Sequence, residues 1–241
     1  MVLCRYQYQT CRHSIKTRHS IILNRKEMEL KQGENGPKEV SRIEAFSDGV
    51  FAIAITLLVL DIHVPTVKNN ESLLQLLLAD WATYLAFLIG FFTILVCWIN
   101  HHYMFEFISH SNGKLLLLNG FKLLVVSFTP FATALLSKYI NTNQQQTAVN
   151  IYTLNFFFMG SAMSCLWCYA SRYGLIKNIA PETRKAITRL YILAPVFSGA
   201  IFILSFVSIH VCLILSAIMF FIFMIPGKTE HLLEKRNLII A

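Results

Sequence analysis

Four polar residues stand where the chain would enter a bilayer: Arg42, Glu44, Ser47 and Asp48, followed at once by the aliphatic run 49–60 with its single hydroxyl, Thr56. A membrane span needs about 20 apolar residues, and this run is far shorter, so its polar half must lie at or near membrane depth with protein or water beside it. Ionisable groups in that position mark ion pathways, proton relays or structural networks. At about 100° per residue, Arg42, Phe46, Gly49, Ile53, Thr56, Leu57 and Leu60 fall on one stripe of a helix, and Ser47 and Asp48 point to the opposite side. The stripe could line a path, and the polar pair could hold a neighbouring helix. The same spacing also suits an ordinary packed helix, with the stripe as core and the polar pair as an N-terminal cap.

Other candidate chemistry is weaker. His101 and His102 invite a metal, yet adjacent helical residues diverge by about 100° and cannot easily share one ion; His110 alone does not complete a set. Cys165-Leu166-Trp167-Cys168 matches C-x-x-C but sits mid-span without a second pair, so these thiols read as small buried hydrophobes. The chain has no T-V-G-Y-G filter, no arginine-rich sensor helix, no phosphate-binding glycine loop and no G-x-S-x-G nucleophile. Nothing points to an enzyme, a resident metal or a cofactor.

The elements that must position these residues follow from composition. Of 241 residues, 55% are hydrophobic and 14% charged, against about 25% charged in soluble domains. The expected fold is all-α, an integral membrane protein with six transmembrane helices per subunit and the lipid bilayer as its partner. Residues 1–38 read as a mobile basic tail, 39–226 as the membrane domain and 227–241 as a polar cytoplasmic tail. Spans are expected near 40–64, 81–99, 115–136 and 148–170, with two more in the uncharged run 190–226 divided by a turn near 205–210. Residues 72–78 could lie along the interface. Lys122 is placed to snorkel to the headgroups, and Pro130 to kink the third span, with Ser127 and Thr129 able to satisfy freed backbone groups. Of the 21 basic residues, only Lys68 and Lys138 fall in the loops opposite the N-terminus. That bias explains the net charge of +8 without nucleic acid, and puts both termini in the cytoplasm of a cell-membrane protein.

The segment Arg42-x-x-x-Phe46-Ser47-Asp48-Gly49 resembles the R-x-x-x-F-S-D-G signature of the transmembrane-protein-175 family of lysosomal and prokaryotic potassium channels. Trp98 with His101-His102, Asn119 and Pro130-Phe131 resemble the same family's pattern. One signature in six spans is similar to the prokaryotic, single-repeat members. The resemblance implies a homotetramer whose four first helices line a pore, with potassium as the permeant ion and no cofactor. Ile53 would form its narrowest ring, Leu57 and Leu60 further rings, and Thr56 a ring of hydroxyls tied to potassium preference. Arg42, Phe46, Ser47, Asp48 and Gly49 would belong to the signature that anchors this helix through Trp98, His101 and His102. A proton-conducting channel or proton-coupled transporter, with Asp48 and one histidine as relay, is the alternative reading.

Overall fold

The computed structural model describes residues 39–68 and 72–224; the two expected tails, 1–38 and 227–241, lie outside the described residues. Helix α1 (Glu39–Asp61) ends in a tighter 3-10 turn at Leu58–Asp61. The short α2 (Leu73–Ala79) buries no residue, in keeping with an interfacial position. There follow α3 (Trp81–Phe107), α4 (Gly113–Tyr139), α5 (Gln145–Arg172), α6 (Pro181–Ser205) and α7 (Ile209–Met224).

Five helices, α1 and α3 to α6, are 23 to 28 residues long and apolar enough to cross a membrane. The sixth, α7, has 16 described residues, a rise of about 24 Å against a core about 30 Å thick. Among the described residues the architecture is thus all-helical and multi-pass, with five full-length spans and one shorter apolar helix. The turn between the last two falls at 206–208, inside the expected window.

Two local expectations need correction. The second span does not stop at Ile99: α3 continues to Phe107 because His101, Met104 and Phe105 recur at helical spacing and are all buried. The cluster from Trp98 to Tyr103 therefore lies inside a helix. Lys122 does not reach the headgroups. It faces α1, fully buried, with its ammonium 4.6 Å from the centre of the Phe51 ring.

Local chemistry explains the helix ends. Asn112 caps α4, its Oδ1 accepting from the Leu115 amide at 2.9 Å. Pro181 opens α6 at a position where its missing N–H costs nothing, and Glu182 lies in the same first turn. Helix α5 ends on Gly174 at φ 68°, and the Leu175 amide closes back onto the Ala170 carbonyl at 3.0 Å, a turn that favours glycine. Pro130 sits inside a continuous α4, where the Thr133 hydroxyl donates to the Thr129 and Pro130 carbonyls; Ser127 is exposed.

Packing runs in sequence order, α3 on α4, α4 on α5, α5 on α6 and α6 on α7, with α1 laid against α3 and α4. Polar ties cross each layer. Asn155 Nδ2 donates to Thr129 Oγ1 at 3.1 Å, Trp167 Nε1 to Thr188 Oγ1 at 2.9 Å, and Tyr191 Oη to the Asn100 carbonyl at 3.2 Å. The first three spans meet at Gly90. A Cβ there would lie 2.8 Å from Leu58 Cδ2 and 3.2 Å from Thr133 Cγ2, so the missing side chain lets α1, α3 and α4 meet. Gly90→Leu should destabilise the subunit by about 1–3 kcal/mol, read as a lower unfolding midpoint of the purified protein in detergent; an unchanged midpoint would contradict this packing.

Candidate functional site

Helix α1 has two faces of opposite fate. Val40, Ile43, Ser47, Phe51, Ala54 and Leu58 are buried, spaced by three and four residues as a helix packed along one side requires. The other face is left bare: Phe46 is 67% exposed, Ile53 61%, Leu57 42% and Leu60 68%, with Arg42, Gly49 and Thr56 also exposed. The predicted stripe is therefore not the core of its own subunit. Ser47 and Asp48 lie mid-helix, two turns past Glu39, so they do not cap it.

What holds the bare helix in place is a set of polar contacts along the first three turns of its packed side. The Trp98 indole Nε1 donates to Asp48 Oδ1 at 2.8 Å. Asn119 Nδ2 donates to Ser47 Oγ at 2.9 Å, and Ser47 passes its own proton to the Ile43 carbonyl at 2.8 Å. His102 Nδ1 lies 3.0 Å from Glu44 Oε1, and its ring stacks on Trp98 with centroids 5.9 Å apart. At the helix start, Ser111 Oγ donates to Glu39 Oε2 at 2.9 Å. Each of these partners comes from α3, from α4 or from the 108–112 connection between them, so α1 is tied to two neighbours at once. Hydrogen bonds to charged groups contribute about 1.5–3 kcal/mol each when desolvated, and a half-apolar environment strengthens them.

The second layer is less conventional. His101 is fully buried between the Phe51 and Phe105 rings, at 5.5 and 4.2 Å between centroids, and neither of its nitrogens has a hydrogen-bond partner among the described residues. Lys122 Nζ likewise has none, its contact being the face of Phe51. Phe51 is thus the hub between α1, α3 and α4. The sequence signal for it was the packed-side spacing from Ser47 and Ala54, which a search for polar residues passes over. Of the anchor set, Ser47, Asp48, Trp98 and His102 come together, joined by Asn119 from outside that set, whereas Arg42, Phe46 and Gly49 are exposed.

Past Gly49 the bare face is an aliphatic wall with one hydroxyl, that of Thr56. Thr56 Oγ1 donates its proton to the Ile53 carbonyl at 2.9 Å, which leaves its lone pairs free to accept. Among the described residues, no group of three or more His, Cys, Asp or Glu side chains could hold a metal ion.

A multi-pass helical bundle that clasps one side of its first helix leaves the other side open to lipid, water or a second chain. The family model described as endosomal/lysosomal potassium channel TMEM175 matches residues 42–130, which spans every residue of the clasp except Glu39. A potassium channel of Chamaesiphon minutus is 41% identical over 186 residues, covering 74% of this chain and 92% of that protein. The crystal structure of a lysosomal potassium-selective channel TMEM175 homologue from the same organism superposes with a TM-score of 0.70, at 39% identity, over 77% of this chain and 96% of its own. The human endosomal/lysosomal proton channel TMEM175 is 38% identical over 104 residues, 40% of this chain but 21% of that protein. The chain belongs to the TMEM175 family.

If the Asp48–Trp98 bond is the principal tie of α1, a double-mutant cycle of Asp48→Asn and Trp98→Phe should show a coupling of about 1–2 kcal/mol in unfolding free energy. Strictly additive effects would remove the bond from that role.

Proposed function

We propose that this protein is a potassium-permeable cation channel of the cell membrane, weakly selective over sodium, in which α1 lines the pore. The observation that carries the reading is the bare ridge of Ile53, Thr56, Leu57 and Leu60 opposite a clasped polar back. The face begins with Arg42 and carries Thr56, residues that suit a water-lined axis better than acyl chains. A homotetramer would cover it, bringing four copies of α1 to one axis. Each subunit would then contribute six membrane-crossing helices, with α7 as the shortest, and both termini would lie in the cytoplasm on the side where the basic residues gather. The Chamaesiphon minutus relative, named a potassium channel and matched over 92% of its length, supports the activity.

The physics of such a pore differs from that of a carbonyl filter. A ring of isoleucines at Ile53 sheds water when narrow and so gates by dewetting; Leu57 and Leu60 extend the dry section. When the ring widens, a cation must give up part of its hydration shell. Potassium holds that shell less firmly than sodium, and the Thr56 oxygens, left free to accept by their bond to Ile53, replace some of the lost water. Neutral ligands of this kind give preference rather than strict exclusion. The vertebrate relatives, named proton channels, favour proton conduction as a second activity of the same path, and proton flux without potassium flux in the same vesicles would identify it as the main one.

Liposome flux tests the assignment. Ile53→Asn should raise basal ion flux and bring the potassium-to-sodium ratio toward one, because a polar ring stays wet. Thr56→Ala should lower that ratio about threefold to tenfold, the loss of one oxygen ligand per subunit being worth roughly 1 kcal/mol. Unchanged ratios in both variants would refute the pore assignment.

A further inference from the structure

A cavity of about 700 Å³ opens between α3, α4, α5 and α7, away from α1 and from the clasp. Its size lies within the range of small-molecule sites, about 300–1,000 Å³. The walls are apolar: Leu85, Ile89 and Phe92 of α3, Phe156 of α5, and Leu213 and Ala217 of α7. Several of them are large side chains left uncovered by the fold, with Leu85 at 46%, Phe92 at 40% and Ile214 at 60% exposure.

Of the polar residues in the lining, Thr93, Tyr152 and Ser216 lie deeper, the Ser216 hydroxyl donating to the Cys212 carbonyl at 2.8 Å, and four others gather at one end. Ser137 is in the last turn of α4, Asn141 follows that helix, Gln145 begins α5 and His210 begins α7. All four therefore lie at one end of the bundle, the end where α3 begins with Trp81, an aromatic suited to the headgroup level. None of the lining residues is acidic. Lys138, exposed in the last turn of α4 next to Ser137, lies outside the lining, with its ammonium 5.9 Å from the centre of the Tyr139 ring. From Trp81 at the mouth to Thr93 at the inner end, both on α3, the helix climbs about 18 Å, close to one leaflet of a core about 30 Å thick.

We propose that this cavity is a phospholipid site: one acyl chain of a lipid from the leaflet at the Trp81 end lies along the apolar walls, with its phosphate at the Asn141, Gln145 and His210 rim. A polar ligand would leave the apolar walls unmatched. An amphipathic molecule with an anionic head and a tail one leaflet long matches both ends. The tail fills the gap between α3 and α7 and so holds the shortest membrane helix to the bundle. This inference rests on the chain spanning a bilayer and not on the pore assignment.

The test uses the full chain in phosphatidylcholine vesicles carrying a fraction of phospholipid with a diazirine at the end of one acyl chain. After illumination, label in the wild type should concentrate on segments bearing Phe92, Phe156 and Leu213, well above the outward-facing Val196 and Phe197 of α6, which are 59% and 55% exposed. Ala217→Phe and Leu85→Trp, which narrow the cavity from α7 and from α3, should each lower the cavity label several-fold and keep the α6 label. In native mass spectra the wild type should retain one phospholipid per subunit and both variants a smaller fraction. Label that simply follows exposure, equal on α6 and in the cavity, would overturn the proposal whether or not the variants fold. So would cavity label undiminished in both variants.

Discussion

The carboxylate of Asp48 accepting the indole N–H of Trp98 is the constraint on which the arrangement of the first helix depends. A helix in a membrane gains nothing from burying its aliphatic residues against protein instead of lipid, because both are apolar. Placement must come from close packing and from polar groups that have no better partner. Here Asp48, Ser47 and Glu44 supply the polar part, answered by Trp98, Asn119 and His102, while Gly90 and Phe51 supply the packing. With its back fixed on two neighbouring helices, α1 can leave Ile53, Thr56, Leu57 and Leu60 uncovered without losing its orientation. The bare face and the polar back are one device seen from two sides.

Behind that device lie two groups whose cost is not offset by hydrogen bonds. Lys122 and His101 are both fully buried and share Phe51 as a neighbour. Removing a charge from water is expensive unless it is paired, and the contact of Lys122 with an aromatic face recovers only part of that cost. Their place directly beneath the signature residues ties them to the positioning of α1 rather than to the lipid boundary. The family model matches 42–130, which holds most of α1, all of α3 and most of α4.

Much of this was legible in the residues. The stripe from Arg42 to Leu60 and its polar opposite followed from a 3.6-residue period, and the long apolar runs gave the five full-length helices with ends displaced by a few residues. The shift at the second helix has a physical reason. The run 100–107 looks polar by composition, yet His101, Met104 and Phe105 form a buried strip, and it is the strip that prolongs the helix. Lys122 was misplaced for a related reason: its depth in the sequence allowed it to reach the headgroups, and only the tertiary contact with Phe51 turns it inward. The turn that separates the last two helices was found inside its expected window, because Ser205 to His210 is the most polar stretch of an uncharged run. Composition could not reveal the cavity at all, since it is space left between helices rather than a property of any one.

The central claim is that the uncovered ridge of α1 faces water and ions between copies of the chain. It is tested most directly by thiol accessibility in reconstituted channels whose six native cysteines have been replaced. With Ile53→Cys or Leu57→Cys, a charged methanethiosulfonate reagent should block the potassium current irreversibly, while Val196→Cys on the outer face of α6 should leave it unchanged. Current through the Ile53→Cys and Leu57→Cys channels that persists under the same reagent would place the conduction path elsewhere.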